Sequence, residues 1–180
     1  MKNYFIIHGT FGHNKENWFP WLEEELKKQG KVVYNFNYPT PDGQSFAGWS
    51  AVLDKVKSEI NEETTFICHS IAPIFVVKYC ITNNIKIKKL ISVSGANNFK
   101  VGVAEFDDIN EDMFIDDVSK FKDLCKERVC FYSKDDPYIK FPSLQEFAKS
   151  INAKEIVYEN AGHFNEKAGY TKFSDILFEL

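Results

Sequence analysis

Six times along this chain a short, nearly continuous apolar run gives way to a segment of helical period, and that alternation limits the fold more than any other feature. The runs cover residues 4–8, 31–36, 64–69, 88–93, 128–133 and 155–158. Their centres, Phe5-Ile6-Ile7, Phe66-Ile67-Cys68 and Val129-Cys130-Phe131-Tyr132, are apolar without alternation, as expected of strands covered on both faces. Between them, Phe46, Trp49, Leu53, Val56 and Ile60 recur at spacings of three and four and form one helical stripe. Leu144, Phe147, Ala148 and Ile151 repeat the pattern, and Phe173, Ile176, Leu177 and Leu180 predict a last helix. Residues 71–81 are apolar on nearly every side, which predicts a buried central helix. The expected fold is α/β: a three-layer sandwich around a mainly parallel sheet of about six strands, in which functional residues sit just after the strands.

Length narrows this further. The chain has 180 residues, enough for one domain that buries a sizeable core without disulfide or metal staples. Charge is near balance, with 22 basic and 26 acidic side chains, and no basic patch suits nucleic acid. No apolar stretch approaches the roughly 18 residues a membrane span requires. The first apolar run ends after Ile7, too early for a signal peptide. The four cysteines, Cys68, Cys80, Cys125 and Cys130, form no Cys-x-x-Cys pair and no dense framework. The expectation is a cytoplasmic protein with no metal or other cofactor.

Residues 97–120 break the rhythm. They show no clean period and crowd seven carboxylates: Glu105, Asp107, Asp108, Glu111, Asp112, Asp116 and Asp117. Asp108, Asn110 and Asp112 match the first ligand positions of a calcium loop, but Met113 stands where glycine is required and Ser119 where glutamate is. A solvated acidic excursion is the simpler reading, with a lid over the site as its functional counterpart.

Three strand ends carry polar residues suited to chemistry. After the third run comes Cys68-His69-Ser70-Ile71-Ala72, the layout of a nucleophile elbow, though both glycines of Gly-x-Ser-x-Gly are replaced. An N-cap serine would explain Ser70 equally well, so the pentapeptide alone leaves both readings open. The fifth run leads into Ser133-Lys134-Asp135-Asp136-Pro137, and the sixth into Ala161-Gly162-His163-Phe164. Each is an ordinary turn signal by itself. Together they complete the chain order Ser, Asp, His on three strand ends, which predicts a triad of Ser70, Asp136 and His163. The backbone N–H of Ile71 at the helix start would then meet a developing oxyanion. Cys68 is expected to pack in the core, His8 and His13 to make structural hydrogen bonds, His69 to point to the far side of the elbow, and Trp18 and Trp21 to pack on the first helix.

His8-Gly9-Thr10, Trp18-Phe19-Pro20-Trp21-Leu22, His69-Ser70, Asp135-Asp136-Pro137 and Gly162-His163-Phe164 together resemble the small serine hydrolases related to retinoblastoma-binding protein nine, within the α/β-hydrolase superfamily. The resemblance runs over essentially the whole chain. It implies Ser70 as nucleophile, His163 as base and the second Asp, Asp136, as the acid in preference to Asp135. It also implies Thr10 as the second oxyanion donor. Cys68 and Ala72 depart from the family's glycine or alanine before His-Ser and glycine after it. The implied activity is carboxylesterase-like: hydrolysis of a small ester or related acyl compound through an acyl-enzyme. The competing expectation is a protein-interaction module that keeps the fold with little turnover and docks through residues 97–120. A flavodoxin-like binder is weaker, because Gly9-Thr10-Phe11-Gly12-His13 lacks both the Walker lysine and the dinucleotide fingerprint.

Overall fold

A computed structural model describes residues 2–180. Six strands form one fully parallel sheet: β1 (Asn3–Ile7), β2 (Val32–Asn35), β3 (Thr65–His69), β4 (Ile87–Val93), β5 (Cys125–Ser133) and β6 (Lys154–Tyr158). Their order is β2-β1-β3-β4-β5-β6. The helices are α1 (Phe19–Lys28), α2 (Phe46–Asp54), α3 (Ala72–Asn83), α4 (Ala104–Asn110), α5 (Phe121–Leu124) and α6 (Phe141–Ser150).

Side-chain alternation along the strands divides the core into two layers. Phe5, Ile7, Phe66, Cys68, Leu90, Cys130 and Tyr132 face a cluster built with α2, α3, α5 and α6. Tyr4, Ile6, Ile67, Ile91, Val93, Val129 and Phe131 face the other, where α1 contributes Phe19, Leu22 and Leu26. The expected three-layer α/β/α architecture is therefore present. Helix α3 is buried from Ala72 to Val77 and again at Tyr79 and Cys80, as its uniform apolarity predicts.

Three segments differ from expectation. The chain beyond Phe173 forms a 3₁₀ turn over Ser174–Glu179, not an α-helix. Three residues per turn stack Phe173 directly over Ile176, and both are buried under the sheet. The second helix stops at Asp54 and tightens into a 3₁₀ turn over Lys57–Glu59, yet Val56 and Ile60 still pack on the core. Within residues 97–120, Ala104–Asn110 is helical and a 3₁₀ turn follows at Glu111–Met113. Phe106, Asn110 and Met113 supply its inward face. The buried member in the middle is polar, which hid the period.

The strand order fixes where a site can form. From β1 the chain moves outward to β2, then returns past β1 to β3 and continues the other way. The connections after β1 and β3 thus diverge to opposite faces and leave a crevice at their carboxyl ends. Register brings specific residues to it: Ile7 pairs with Cys68, so two residues later Gly9 lies beside Ser70.

Candidate active site

Ser70 follows β3 in the left-handed region, with φ of +62°. A non-glycine residue rarely adopts that conformation, which costs of order 1–2 kcal/mol. It turns the chain sharply from strand to helix and presents the side chain at the start of α3. The backbone holds it there: Ser70 N–H donates to the Val93 carbonyl of β4 at 2.9 Å. On the β1 side the approach is close enough to demand glycine, since a Cβ on Gly9 would lie 2.7 Å from Ser70 Cβ.

Asp136 and His163 come together from the loops after β5 and β6. Ser133 pairs with Tyr158, so the two loops leave the sheet side by side. His163 Nδ1 donates to Asp136 Oδ2 at 2.7 Å, and the Asp136 side chain is fully buried. Its other oxygen, Oδ1, accepts from the Tyr138 and Ile139 N–H groups at 2.9 and 3.0 Å. With its proton on Nδ1, neutral His163 carries its lone pair on Nε2. Asp135 faces elsewhere. Its Oδ1 accepts from Ser133 Oγ at 2.5 Å and from Gly162 N–H at 2.8 Å, which fixes the turn that carries His163. These bonds hold the Asp135 carboxyl below its ordinary pKa, the Ser133 hydroxyl contributing most.

Ser70 and His163 line one cavity of about 450 Å³ together with Gly9, Thr10 and His69. No hydrogen bond joins Ser70 Oγ to the imidazole; in ligand-free enzymes such contacts commonly tighten only when substrate binds. Thr10 lines the same space and Ile71 follows Ser70 directly, and among the described residues neither backbone N–H finds a hydrogen-bond partner. Val101, Val103 and Phe106 give the cavity an apolar wall, joined by Phe11, whose ring meets that of Phe106 at 5.9 Å. Residues 97–120 therefore border the cavity directly.

His69 corrects the sequence reading. It does not point away from the site but lines it, its ring centroid 4.8 Å from that of His163. Strand alternation sends Cys68 to one layer and His69 to the other, where it meets Trp18 and Phe19 beneath the β6 loop. Its Nε2–H donates to the His163 carbonyl at 2.8 Å. Burial, reinforced by His163 nearby, lowers its pKa to about 3, so it stays neutral. His8 is structural as expected: Nδ1–H donates to the Gly9 carbonyl, and Nε2 accepts from Tyr38 N–H. Both bonds need the neutral tautomer, and burial lowers this pKa as well. His13 is exposed, its Nδ1 accepting from Lys15 N–H. Trp18 is fully buried and donates to the Phe164 carbonyl, and Trp21 packs at the edge of the same cluster. Cys68 is buried too, and burial pushes its thiol pKa well up, away from nucleophilic character.

Sequence reasoning missed one group. Asn110 and Gln44 are buried against Thr10 and share hydrogen bonds with its hydroxyl. Asn110 enters the sequence only as a would-be calcium ligand, but Asp112 turns away to accept from Phe46 N–H, and Asp108 is exposed.

With this geometry in place, comparison with known proteins is direct. A serine hydrolase family model matches residues 4–180. The chain belongs to the serine hydrolase family. A relative, YdeN of Bacillus subtilis (strain 168), is 26% identical over 174 residues, covering 94% of this chain and 90% of YdeN. The crystal structure of the B. subtilis ydeN gene product superposes with a TM-score of 0.89 over 99% of this chain and 98% of that one. Mouse α/β-hydrolase domain-containing protein 10 shares the fold at 12% identity, with a TM-score of 0.75 over 98% and 86% of the two chains. A monoacylglycerol lipase from Paleococcus ferrophilus does so at 14% identity and 0.68, over 89% and 85%. Family membership supports a hydrolytic function. No helix among the described residues is long and apolar enough to cross a membrane.

Proposed function

We propose that this serine hydrolase cleaves a small ester or related acyl compound through an acyl-enzyme, with Ser70 as nucleophile, His163 as general base and then acid, and Asp136 as the group that orients the imidazole. The observation that carries the reading is one cavity shared by a serine at a strained strand-to-helix turn and a histidine whose Nδ1–H is held by a buried carboxylate. A serine hydroxyl is a weak nucleophile near neutral pH, so His163 Nε2 takes its proton as Oγ bonds to the acyl carbon. The oxyanion that forms is met by the N–H groups of Thr10 and Ile71, each of which lacks a competing partner. His163 returns the proton to the leaving oxygen, and the acyl group stays on Ser70. Water then attacks that ester by the same steps in reverse roles.

The cavity's size supports a modest substrate, near the lower part of the roughly 300–1,000 Å³ range of small-molecule sites. Val101, Val103, Phe106 and Phe11 suit an apolar acyl group, and the partly exposed Phe11 and Val103 leave the rim open to solvent. A fluorophosphonate probe tests the assignment. The unaltered protein becomes labelled on Ser70, and Ser70→Ala abolishes both labelling and hydrolysis of p-nitrophenyl acetate. Labelling that persists on another residue refutes it. A folded protein that takes no label and shows no turnover points to the interaction-module reading.

A further inference from the structure

The oxyanion loop, residues 9–11, is held at three points. Gly9 is pressed against Ser70, and Phe11 N–H donates to Thr40 Oγ1 at 2.8 Å. Between them the Thr10 side chain enters a closed buried network. Its hydroxyl donates to Asn110 Oδ1 at 2.7 Å and accepts from Gln44 Nε2 at 2.9 Å. Gln44 Nε2 also donates to Asn110 Oδ1 at 2.6 Å, which closes the triangle. Asn110 is 1% exposed, and its own Nδ2 donates to the Phe106 carbonyl one turn earlier in α4.

The sequence origin of these residues gives the network its meaning. Asn110 belongs to the segment that also lines the cavity through Val101, Val103 and Phe106. That segment is braced internally: Asp107 accepts from the Val101 and Gly102 N–H groups, and Asn97 and Ile115 exchange hydrogen bonds across its base. Outwardly, its polar bond to the oxyanion loop runs from Asn110 to Thr10, beside the ring contact of Phe106 with Phe11. Asn110 Oδ1 accepts two hydrogen bonds and Nδ2 donates one, so three bonds hold this buried amide, while Gln44 Oε1 in the same triangle is buried without a partner.

We propose that Asn110 is a positioning residue that couples the seating of residues 97–120 to the alignment of the Thr10 N–H toward the oxyanion. The inference rests on the acyl-enzyme reading above. It makes the segment a fixed wall whose correct placement switches the oxyanion donor on, in contrast to a lid that merely admits substrate. Displacing α4 removes the acceptor of the Thr10 hydroxyl and frees the peptide plane that carries its N–H. Losing an oxyanion donor outright typically costs roughly 10²–10³ in rate, and misalignment costs a part of that.

The test is a double-mutant cycle with Asn110→Ala and Thr10→Val; the valine keeps the backbone N–H and removes only the hydroxyl. All variants are assayed with p-nitrophenyl acetate below their melting temperatures. Each single change is expected to lower kcat about tenfold with KM altered less than about twofold, and the double variant to lose no more than either alone. A merely structural anchor would lower the melting temperature or raise KM and leave kcat in place. Independent losses, about a hundredfold in the double variant, or a kcat unchanged in Asn110→Ala, overturn the coupling while turnover and Ser70 labelling of the unaltered protein still uphold the triad. Absence of both in the unaltered protein overturns the triad and, with it, the coupling.

Discussion

Replacing Asp136 with asparagine isolates the carboxylate's role, because the structure dictates how the new amide must sit. Asp136 Oδ1 accepts two backbone N–H groups, from Tyr138 and Ile139, and Oδ2 accepts one N–H, from His163. An amide nitrogen at the Oδ1 position would face two donors and forfeit two hydrogen bonds to a charged acceptor, each worth about 1.5–3 kcal/mol. The oxygen therefore stays at that position and the NH₂ turns to the imidazole. His163 Nδ1 must then accept, its proton moves to Nε2, and the ring offers Ser70 no lone pair. Loss of the correct tautomer costs about 10⁴ in kcat, or about 5.4 kcal/mol at 1.36 kcal/mol per tenfold. Fluorophosphonate labelling rates and p-nitrophenyl acetate turnover read this directly. The control is Asp135→Asn, expected within about tenfold of the unaltered rate, since Asp135 acts on the Gly162 turn and not on the ring. The reasoning fails if Asp136→Asn keeps more than a tenth of the rate, or if Asp135→Asn is equally damaging.

Two further outcomes follow from the packing of the site. Gly9→Ala places a methyl 2.7 Å from Ser70 Cβ and must shift either the oxyanion loop or the nucleophile; turnover is expected to fall at least about a hundredfold, and near-normal turnover would show that the loop yields freely. His69, with its pKa lowered to about 3 when folded against an ordinary 6.5, stays neutral between those values while the unfolded chain binds a proton. Stability therefore rises with pH across that window, by up to about 1.36 kcal/mol per unit. Urea denaturation should show the unaltered protein losing about 2 kcal/mol more than His69→Gln between pH 7 and pH 5; equal losses would sink the argument.

Much of the fold was legible because strands buried on both faces leave an unmistakable apolar trace, and all six emerge within three residues of their expected positions. Strand β5 begins earlier than its apolar run because Lys126 and Glu127 lie on an exposed start, where Glu127 pairs with Lys89. The polar strand ends were equally visible, and the structure brings Ser70 and His163 to one cavity with Asp136 behind the imidazole. What sequence reasoning lost depends on partners far along the chain. Asn110 looks like any acidic-segment polar residue until Thr10, a hundred positions earlier, meets it. Strict alternation from Cys68 places His69 on the sheet face of Ile67, but the contact that brings it to His163 depends on the loop after β6, far along the chain.

The altered elbow is the feature that most tempts one to doubt catalysis, and its surroundings explain why it folds. Small residues are needed near the nucleophile wherever backbone or side chain would otherwise collide. Here two glycines outside the pentapeptide meet the turn closely. On one flank the space is supplied by Gly9 of the β1 loop, where any Cβ would strike Ser70. On the other, Pro73 in the first turn of α3 is accommodated by Gly95 after β4, whose Cβ would come within 2.7 Å of the proline ring. Pro73 itself sacrifices little, because the N–H it lacks would have no partner at a helix start. Cys68 meanwhile directs its side chain into the layer packed against α3, where a thiol is an ordinary small apolar filler. Gly9 after β1 and Gly95 after β4 thus leave the space that Ser70 and Pro73 occupy, and Ser70 takes its left-handed conformation with neither elbow glycine present.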